Sequence, residues 1–334
     1  MTAIPKNKKT LLLSILVIVI LLAPPAGFAV FINTPAGDGK ISQVFDFPEG
    51  YTLRKFAGEL ERGGVISSGR MLVLYARLRG ADARIKAGSY QFTDGMSAAE
   101  MLRKMVAGEI FAYRFAVPEG YSIYQVAELL ENRRLYRKED FLKQCFDRTL
   151  LRELGIGGRS VEGYLYPSTY TIPPAMTAAD LIRLMEGQFD RVYGQRFAEG
   201  AKAAGLSTRD VITLASLIEK EAVAPAERPL IASVFRNRLR IGMPLQSDPT
   251  AVYGIRAFTG SVTKQDIQRN TPYNTYLIKG LPPGPIGSPG SAAIEAVLTP
   301  ATTSYLYFVA RKDGTHQFSV NLEEHNRAVS RYLR

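Results

Sequence analysis

The sequence predicts an α+β protein in which an N-terminal transmembrane helix precedes two folded regions, the second of them a two-layer α+β domain. An uncharged apolar segment covers residues 11–32. The motif Pro-Glu-Gly-Tyr occurs at residues 48–51 and again at 118–121, each time between a strand pattern and a helix pattern. Amphipathic helix patterns then alternate with short strand patterns up to a long segment, residues 243–290, that is rich in Gly and Pro.

The first segment has the length and the flanks of a membrane anchor. About 20 apolar residues cross a bilayer, and cytoplasmic flanks are enriched in Lys and Arg. Three lysines lie among residues 6–9, so residues 1–10 are predicted to be cytoplasmic and everything after the anchor to lie outside. The alternative is a cleaved signal peptide, because Gly27-Phe-Ala29 resembles a cleavage site. The apolar pattern continues to Ile32, which favours an uncleaved anchor.

Composition excludes several classes of protein. A hydrophobic content of 46% with 22% charged residues is typical of globular domains and excludes a disordered chain. The single Cys145 excludes an internal disulfide, and two histidines without a His-Glu-x-x-His pattern predict neither a metal site nor a cofactor. The net charge of +11 favours an anionic partner, but the basic residues are scattered and no nucleic-acid motif occurs. We therefore do not expect nucleic acid to be a partner.

Residues 41–110 have the element order of a known small module. The first repeat predicts a strand, a turn and a helix capped by Thr52. A second helix follows over residues 68–78, and a strand with alternating faces follows over residues 86–92. This strand, helix, helix, strand order resembles a LysM module, and LysM modules bind glycans that contain N-acetylglucosamine. The alternative is a spacer between the membrane and the second domain.

Two carboxylates, Glu219 and Glu221, lie in an otherwise apolar helix pattern. Ser207 with Asp210 forms a candidate capping box, and Pro225 ends the pattern. Helical periodicity places both carboxylates beside apolar rows, so at least one should be partly buried. Burial disfavours the charged form and raises the pKa of a carboxyl toward the range of a general acid. The alternative is that both acids are solvated or paired with arginine.

Other segments carry weaker signals. Residues 161–172 contain Glu162 and three tyrosines, a composition that fits a sugar site but occurs more often in an ordinary core. Residues 243–290 are irregular, and long irregular segments inside compact domains are usually functional loops. Cys145 is expected to be a core residue.

Several motifs in a fixed order resemble those of the endolytic murein transglycosylase (YceG-like) family. The similarity covers nearly the whole chain, since that family also has one N-terminal anchor and a LysM-like region. The motifs are Glu162-Gly-Tyr-Leu-Tyr-Pro167, Leu214-Ala-Ser-Leu-Ile-Glu-Lys-Glu221, Val234-Phe-Arg-Asn-Arg-Leu-Arg-Ile-Gly-Met243, Leu245-Gln-Ser-Asp-Pro-Thr250, Tyr273-Asn-Thr-Tyr276 and Gly280-Leu-Pro-Pro-Gly284. The resemblance implies that residues 111–334 form the catalytic domain.

The resemblance also implies a reaction. A lytic transglycosylase cuts the glycan strand of peptidoglycan between N-acetylmuramic acid and N-acetylglucosamine, and the C6 hydroxyl of the muramic acid attacks its own C1. A 1,6-anhydro end results without water. One carboxyl is sufficient, first as acid and then as base, whereas hydrolases normally need two. The family match assigns this role to Glu221, with Glu219 as the fallback.

The same match implies substrate-binding roles for five loop residues, Gln246, Asp248, Tyr273, Asn274 and Thr275. They are expected to hold acetamido groups or to stabilise the positive charge that develops at C1. The alternative is turn architecture, since Asp and Asn side chains commonly bond to the backbone two residues on.

Family resemblance places the protein in the inner membrane, with the catalytic domain in the periplasm. The implied partners are nascent peptidoglycan strands, the membrane and peptidoglycan synthases, and the implied role is the termination of strand elongation. Two other functions stay open. One is a non-catalytic glycan-binding or divisome scaffold protein. The other is a muramidase that pairs Glu221 with Asp248 or Glu162, whose carboxyls would lie about 5 to 9.5 Å apart.

Overall fold

A computed structural model of the chain describes residues 8–255 and 261–332. The chain divides into two compact units. One contains the residues up to Tyr113 together with Thr171–Ala175, and the other contains Arg114–Tyr170 and Met176–Arg334. The α+β class is confirmed, because helices and small two-stranded sheets alternate along the chain.

The first unit begins with a long apolar helix, α1 (Lys8–Asn33), which contains the predicted anchor. Its segment Leu13–Asn33 is long and apolar enough to cross a membrane, and none of that segment is buried within the protein. Residues 1–7 of the predicted cytoplasmic segment lie outside the described residues. The length and exposure of α1 are compatible with a single-pass anchor.

The rest of the first unit has the predicted order of strand, helix, helix and strand. Its elements are β1 (Ser42–Phe47), α2 (Leu53–Arg62), α3 (Gly69–Leu78), β2 (Gly88–Thr93) and α4 (Ala98–Ala107). The strands pair antiparallel, with Ser42 opposite Thr93 and Phe47 opposite Gly88. Thr52 caps α2 as predicted, because its side chain accepts a hydrogen bond from the Lys55 backbone. Phe56, Tyr90 and Phe92 are completely buried in the core of this unit.

The second unit is mainly helical. Its helices are α5 (Ile123–Asn132), α6 (Lys138–Cys145), α7 (Arg148–Glu153), α8 (Ala178–Arg196), α9 (Ala198–Ala203), α10 (Thr208–Glu221), α11 (Arg228–Arg240), α12 (Asp248–Val252), α13 (Lys264–Gln268), α14 (Ser291–Leu298) and α15 (Leu322–Tyr332). The remaining strands are β3 (Tyr113–Ala116), β4 (Thr169–Ile172), β5 (Tyr307–Ala310) and β6 (His316–Ser319), and the division between the units falls within β3 and β4. β3 pairs with β4, and β5 pairs antiparallel with β6. Cys145 is buried, as predicted.

Helix α10 is the centre of the second unit's core. It packs against α11 and α14, and every residue from Val211 to Ile218 is buried. Ser207 is its N-cap, as predicted, and accepts a hydrogen bond from the Asp210 backbone at 3.1 Å. The Asp210 carboxylate accepts from the Ser207 hydroxyl at 2.6 Å, so the interaction differs from the reciprocal box that the sequence predicts. The helix ends at Glu221, before Pro225 as predicted. Its last turn therefore carries both candidate carboxylates.

The predicted irregular segment is largely irregular, but it contains α12 and α13, which the sequence does not predict because turn formers dominate there. Pro249 lies in the first turn of α12, where its missing N–H costs no helical hydrogen bond. Thr263 caps α13 in a capping box with Asp266. Both short helices belong to the segment that returns to α10, and α12 contacts that helix.

Candidate active site

Glu221 is the last residue of α10, and its carboxyl is partly buried. Burial raises the pKa of this carboxyl to about 7. The nearby charge of Asp248 raises the pKa further, whereas a hydrogen bond from Ser247 and the positive charge of Arg238 oppose the rise. A helix C-terminus also disfavours a negative charge. Near neutral pH the carboxyl therefore exists in both protonation states, as a group that must first donate and then accept a proton requires.

Ser247 holds one oxygen of this carboxyl. Its hydroxyl donates to Oε1 of Glu221 at 2.6 Å, and the side chain is almost completely buried. The Ser247 backbone N–H donates to the Thr275 hydroxyl at 2.9 Å, which in turn lies 2.8 Å from the Thr250 hydroxyl. Within the described residues, Oε2 of Glu221 has no hydrogen-bond partner. A donor on Oε1 favours the proton on Oε2, the oxygen without a hydrogen-bond partner in the described part of the chain.

Glu219, the alternative catalytic residue, uses both carboxylate oxygens for contacts within the protein. One oxygen accepts from Arg228 at 2.7 Å, and the other accepts from the backbone of Gly290 at 2.9 Å. Its side chain is 6% exposed and that of Arg228 is 13% exposed, so this is a largely buried ion pair. Because both oxygens are occupied, the contacts favour Glu221 over Glu219 as the reactive group.

Glu162 is a buried carboxyl with a different set of partners. It accepts hydrogen bonds from the backbone of Ile123 at 3.2 Å and from the Tyr253 hydroxyl at 2.8 Å. Burial raises the pKa of Glu162 to about 7, and burial also lowers the pKa of the neighbouring Lys220 to about 8. Ile123 is the first residue of α5, so Glu162 satisfies a backbone donor at a helix N-terminus. These contacts favour an architectural role.

Three of the five predicted loop residues have accessible side chains. Gln246 and Asp248 are exposed, and Tyr273 is half-buried with its ring 4.6 Å from that of Tyr253. Gln246 has a backbone φ of 48°, a left-handed conformation that is uncommon for residues other than glycine. Asp248 accepts a hydrogen bond from the Tyr276 hydroxyl at 2.5 Å. Gln246 and Asp248 flank Ser247 in sequence, and the charge of Asp248 acts on the Glu221 carboxyl.

The other two predicted loop residues, Asn274 and Thr275, are completely buried. The Asn274 amide donates to the carbonyls of Ile267 at 3.0 Å and Arg269 at 2.8 Å, and its oxygen accepts from the Tyr276 backbone at 3.1 Å. This last contact is the Asx turn that the sequence left open as an alternative. The contacts of both residues are with the loop itself, which favours loop architecture, and their substrate-binding role stays a prediction.

Ser247 and Arg238 are not among the site residues predicted from the sequence. Arg238 is 6% exposed and donates to the carbonyls of Leu306 at 2.6 Å and Leu245 at 2.8 Å. It therefore fixes the start of the loop that delivers Ser247 to Glu221. Both residues lie inside the family motifs that the sequence contains, so the signal was present. The hydrogen bonds from Ser247 to Glu221 and from Arg238 to Leu306 could not be predicted, because each joins residues that are distant in sequence.

Known proteins resemble this chain over most of its length. The family model described as the YceG-like family matches residues 45–331. The chain belongs to the YceG-like family. The predicted family resemblance is thereby confirmed.

Two bacterial proteins that share one name align with most of this chain. A Bacillus subtilis (strain 168) protein named endolytic murein transglycosylase is 33% identical over 312 residues, which cover 89% of this chain and 86% of that protein. A protein of the same name from Streptococcus pneumoniae (strain D39) is 31% identical over 318 residues, which cover 86% of this chain and 57% of that protein. The fold also has a crystallographic counterpart in the YceG-like family. A YceG-like protein from Listeria monocytogenes superposes with a TM-score of 0.61 at 31% identity, covering 87% of this chain and 100% of that one.

Proposed function

We propose that the protein is an endolytic murein transglycosylase that cleaves the glycan strands of peptidoglycan and leaves 1,6-anhydro-muramic acid ends. The names of its relatives support the reaction class. The state of the Glu221 carboxyl is the observation that carries the proposal. Burial raises the pKa of this carboxyl to about 7, and Ser247 donates a hydrogen bond to Oε1 and not to Oε2. A single carboxyl in this state matches a reaction in which one group transfers two protons in succession.

The chemistry follows from that carboxyl. Protonated Oε2 of Glu221 donates its proton to the glycosidic oxygen as the bond between C1 of muramic acid and that oxygen breaks. The C6 hydroxyl of the same sugar attacks C1, and its proton passes to the carboxylate. Glu221 ends in the state in which it began, and water is not consumed. Ser247 keeps the carboxyl oriented throughout, which makes it a positioning residue.

We propose Gln246, Asp248 and Tyr273 as the residues that contact the substrate, because their side chains are accessible and two of them flank Ser247, which binds the Glu221 carboxyl. Asp248 carries a carboxylate, which could stabilise the positive charge that develops at C1 of the sugar. We assign Asn274 and Thr275 an indirect role, since their contacts shape the loop that carries Ser247 and Asp248. The observed contacts support this division, and ligand-bound geometry would test it.

The first unit supports a membrane-proximal arrangement. We propose that α1 anchors the protein in the inner membrane with residues 1–10 in the cytoplasm, and that residues 111–334 form a two-layer catalytic domain in the periplasm. We also propose that residues 41–110 form a LysM-like module, in agreement with their element order and antiparallel pairing. Tethering would restrict cleavage to strands near the membrane, so a peptidoglycan synthase is a proposed partner and termination of strand elongation a proposed role.

Glycan binding by the LysM-like module has less support. A cavity of about 520 Å³ lies between the start of α2 and the segment after α3. Its lining residues all lie in the described part of the chain, and they are Thr52, Leu53, Arg54, Val73, Arg77, Asp82 and Ala83. None of them is aromatic, so the cavity offers no ring on which a sugar could stack. This cavity therefore gives no support to glycan binding, but a second cavity of about 380 Å³ in the same module is lined by Tyr75, so the spacer alternative stays open.

Product analysis tests the function. Full-length protein in detergent is incubated with uncrosslinked glycan strands, and the new chain ends are identified by mass spectrometry. We expect internal cuts with anhydro-muramic acid ends, which are lighter than reducing ends by one water. Reducing ends would instead establish a hydrolase and point to Asp248 as the second carboxyl. Binding of strands without any new ends would favour the scaffold function.

The pH dependence of cleavage should follow the Glu221 carboxyl. The general acid must be protonated, so kcat/KM is expected to fall as pH rises through about 7. Ser247→Ala removes a hydrogen bond that lowers the pKa of Glu221, and the midpoint should move to higher pH. Asp248→Asn removes a negative charge that raises this pKa, and the midpoint should move to lower pH.

Profiles of kcat/KM against pH for the wild type and the two variants check this expectation. The two substitutions are matched controls for each other because they shift the midpoint in opposite directions. Equal midpoints in all three proteins would show that another group supplies the proton.

A further inference from the structure

Helix α3 carries an exposed face that the proposed reaction does not use. Met71, Leu74 and Leu78 are 40%, 49% and 68% exposed, unusually accessible for apolar side chains that share one helix. Arg70 and Arg77 lie beside them and are also exposed. At 3.6 residues per turn, these five side chains fall within an arc of about 120°. The two arginines form one edge of the arc, and the three apolar residues form the rest.

This face, which we call the α3 face, adjoins a basic groove between α2 and α3. The groove has a volume of about 610 Å³, and Arg54, Arg70 and Arg77 line it. Glu61 also lines it, but the Glu61 carboxylate accepts a hydrogen bond from the Gly69 backbone at 3.0 Å. The groove therefore carries an excess of positive charge next to an apolar stripe. Such a combination is typical of surfaces that lie on anionic membranes.

The position of α1 brings this unit close to the bilayer. Phe31 belongs to the segment that is apolar enough to cross a membrane, yet it packs against the core of the same unit. α1 also contacts both α3 and α4. A folded unit whose core packs against the last turn of a membrane span lies next to the membrane surface. The exposed apolar side chains of the neighbouring α3 then have an apolar phase within reach.

We propose that the α3 face lies on the surface of the bilayer that α1 crosses, in contact with anionic phospholipids. Met71, Leu74 and Leu78 insert among the acyl chains near the headgroups, and Arg54, Arg70 and Arg77 bind lipid phosphates. The inference rests on the proposed anchor. It implies that the span and the α3 face together hold the first unit in one orientation on the membrane.

Site-specific fluorescence tests the proposal. Full-length protein carrying Cys145→Ala and Leu74→Cys is labelled with an environment-sensitive dye. It is then reconstituted in vesicles of phosphatidylcholine with or without phosphatidylglycerol. Nitroxide lipids labelled near the headgroup serve as quenchers. Leu277→Cys in the same background is the matched control, because Leu277 is 52% exposed and Leu74 is 49% exposed.

We expect quenching at residue 74 in vesicles with phosphatidylglycerol to be at least about twofold stronger than at residue 277. Arg70→Gln with Arg77→Gln should reduce it to the level found in phosphatidylcholine alone. Equal quenching at both labels, in protein that resists extraction by alkaline carbonate, would overturn the proposal and leave the anchor intact. Extraction by carbonate would overturn the anchor itself.

The same labelled protein would detect two other occupants of the α3 face. Protection of the residue 74 label in detergent, with disulfide crosslinks between Leu74→Cys copies, would show that a second copy covers the face. Protection that depends on added glycan strands and not on lipid would show a glycan surface. Either result would overturn the membrane proposal.

Discussion

Glu221→Gln is expected to slow glycan strand cleavage by about 10³-fold, because one carboxyl would both protonate the leaving oxygen and deprotonate the attacking hydroxyl. Glutamine retains the size of the side chain and an oxygen for the Ser247 hydroxyl, but it cannot exchange a proton. The measurement is the initial rate at which new strand ends form, at pH 7 and with equal amounts of folded protein. Glu295→Gln, the same substitution at an exposed position of α14, is the control and should leave the rate unchanged.

The stability of the same variant supplies a second readout. The folded-state pKa of Glu221, about 7, lies above the ordinary value of a glutamate. The folded protein therefore binds a proton more tightly than the unfolded chain, and this carboxyl reduces stability as pH rises from about 4.5 to about 7. Glu221→Gln removes that loss, so its thermal midpoint at pH 8 should equal or exceed that of the wild type. An inactive variant with a lower midpoint would show misfolding and not a catalytic role. Full activity would remove Glu221 from the mechanism.

Glu219→Gln is expected to have the opposite phenotype. It removes the charge that compensates Arg228 in a largely buried pair, and breaking such pairs costs about 3 kcal/mol of unfolding free energy or more. Cleavage per folded molecule should stay within a few-fold of the wild type, since neither oxygen of Glu219 is open to a substrate. Denaturant unfolding and the strand-end assay, both on full-length protein in detergent, measure the two quantities.

The two glutamine variants are matched, because they alter carboxylates two residues apart in one helix turn. Exchange of the phenotypes, with a stable but inactive Glu219→Gln and an unstable but active Glu221→Gln, would assign the chemistry to Glu219. Loss of both stability and activity in both variants would mean that the end of α10 tolerates no change of charge. Only the expected separation supports a single reactive carboxyl at Glu221.

Much of the fold could be predicted because local interactions determine it. The caps at Thr52 and Ser207 act on backbone groups three residues away, and the apolar stripe of each helix is visible in sequence. The span of α1 follows from length and composition alone. The short helix α12 was missed because turn formers and a proline also fit the first turn of a helix.

The contacts of the loop residues could be predicted only where the partner is close in sequence. The Asx turn of Asn274 could be anticipated, since its partner lies two residues on. The bonds from the Asn274 amide to Ile267 and Arg269 could not, because they depend on how the loop folds around α13. Family motifs place Gln246 and Thr275 in the same predicted class, yet one side chain is exposed and the other is completely buried.

The sequence by itself determined the family, the helix that carries both carboxylates and the apolar segment that precedes the folded units. It did not determine which carboxylate is free to react. Glu219 and Glu221 share one helix turn and one apolar setting, and only distant residues distinguish them. Arg228 and Gly290 occupy both oxygens of Glu219, whereas Ser247 occupies one oxygen of Glu221. The tertiary structure distinguishes the two carboxyls because the pKa and the availability of a carboxyl depend on neighbours that packing brings to it.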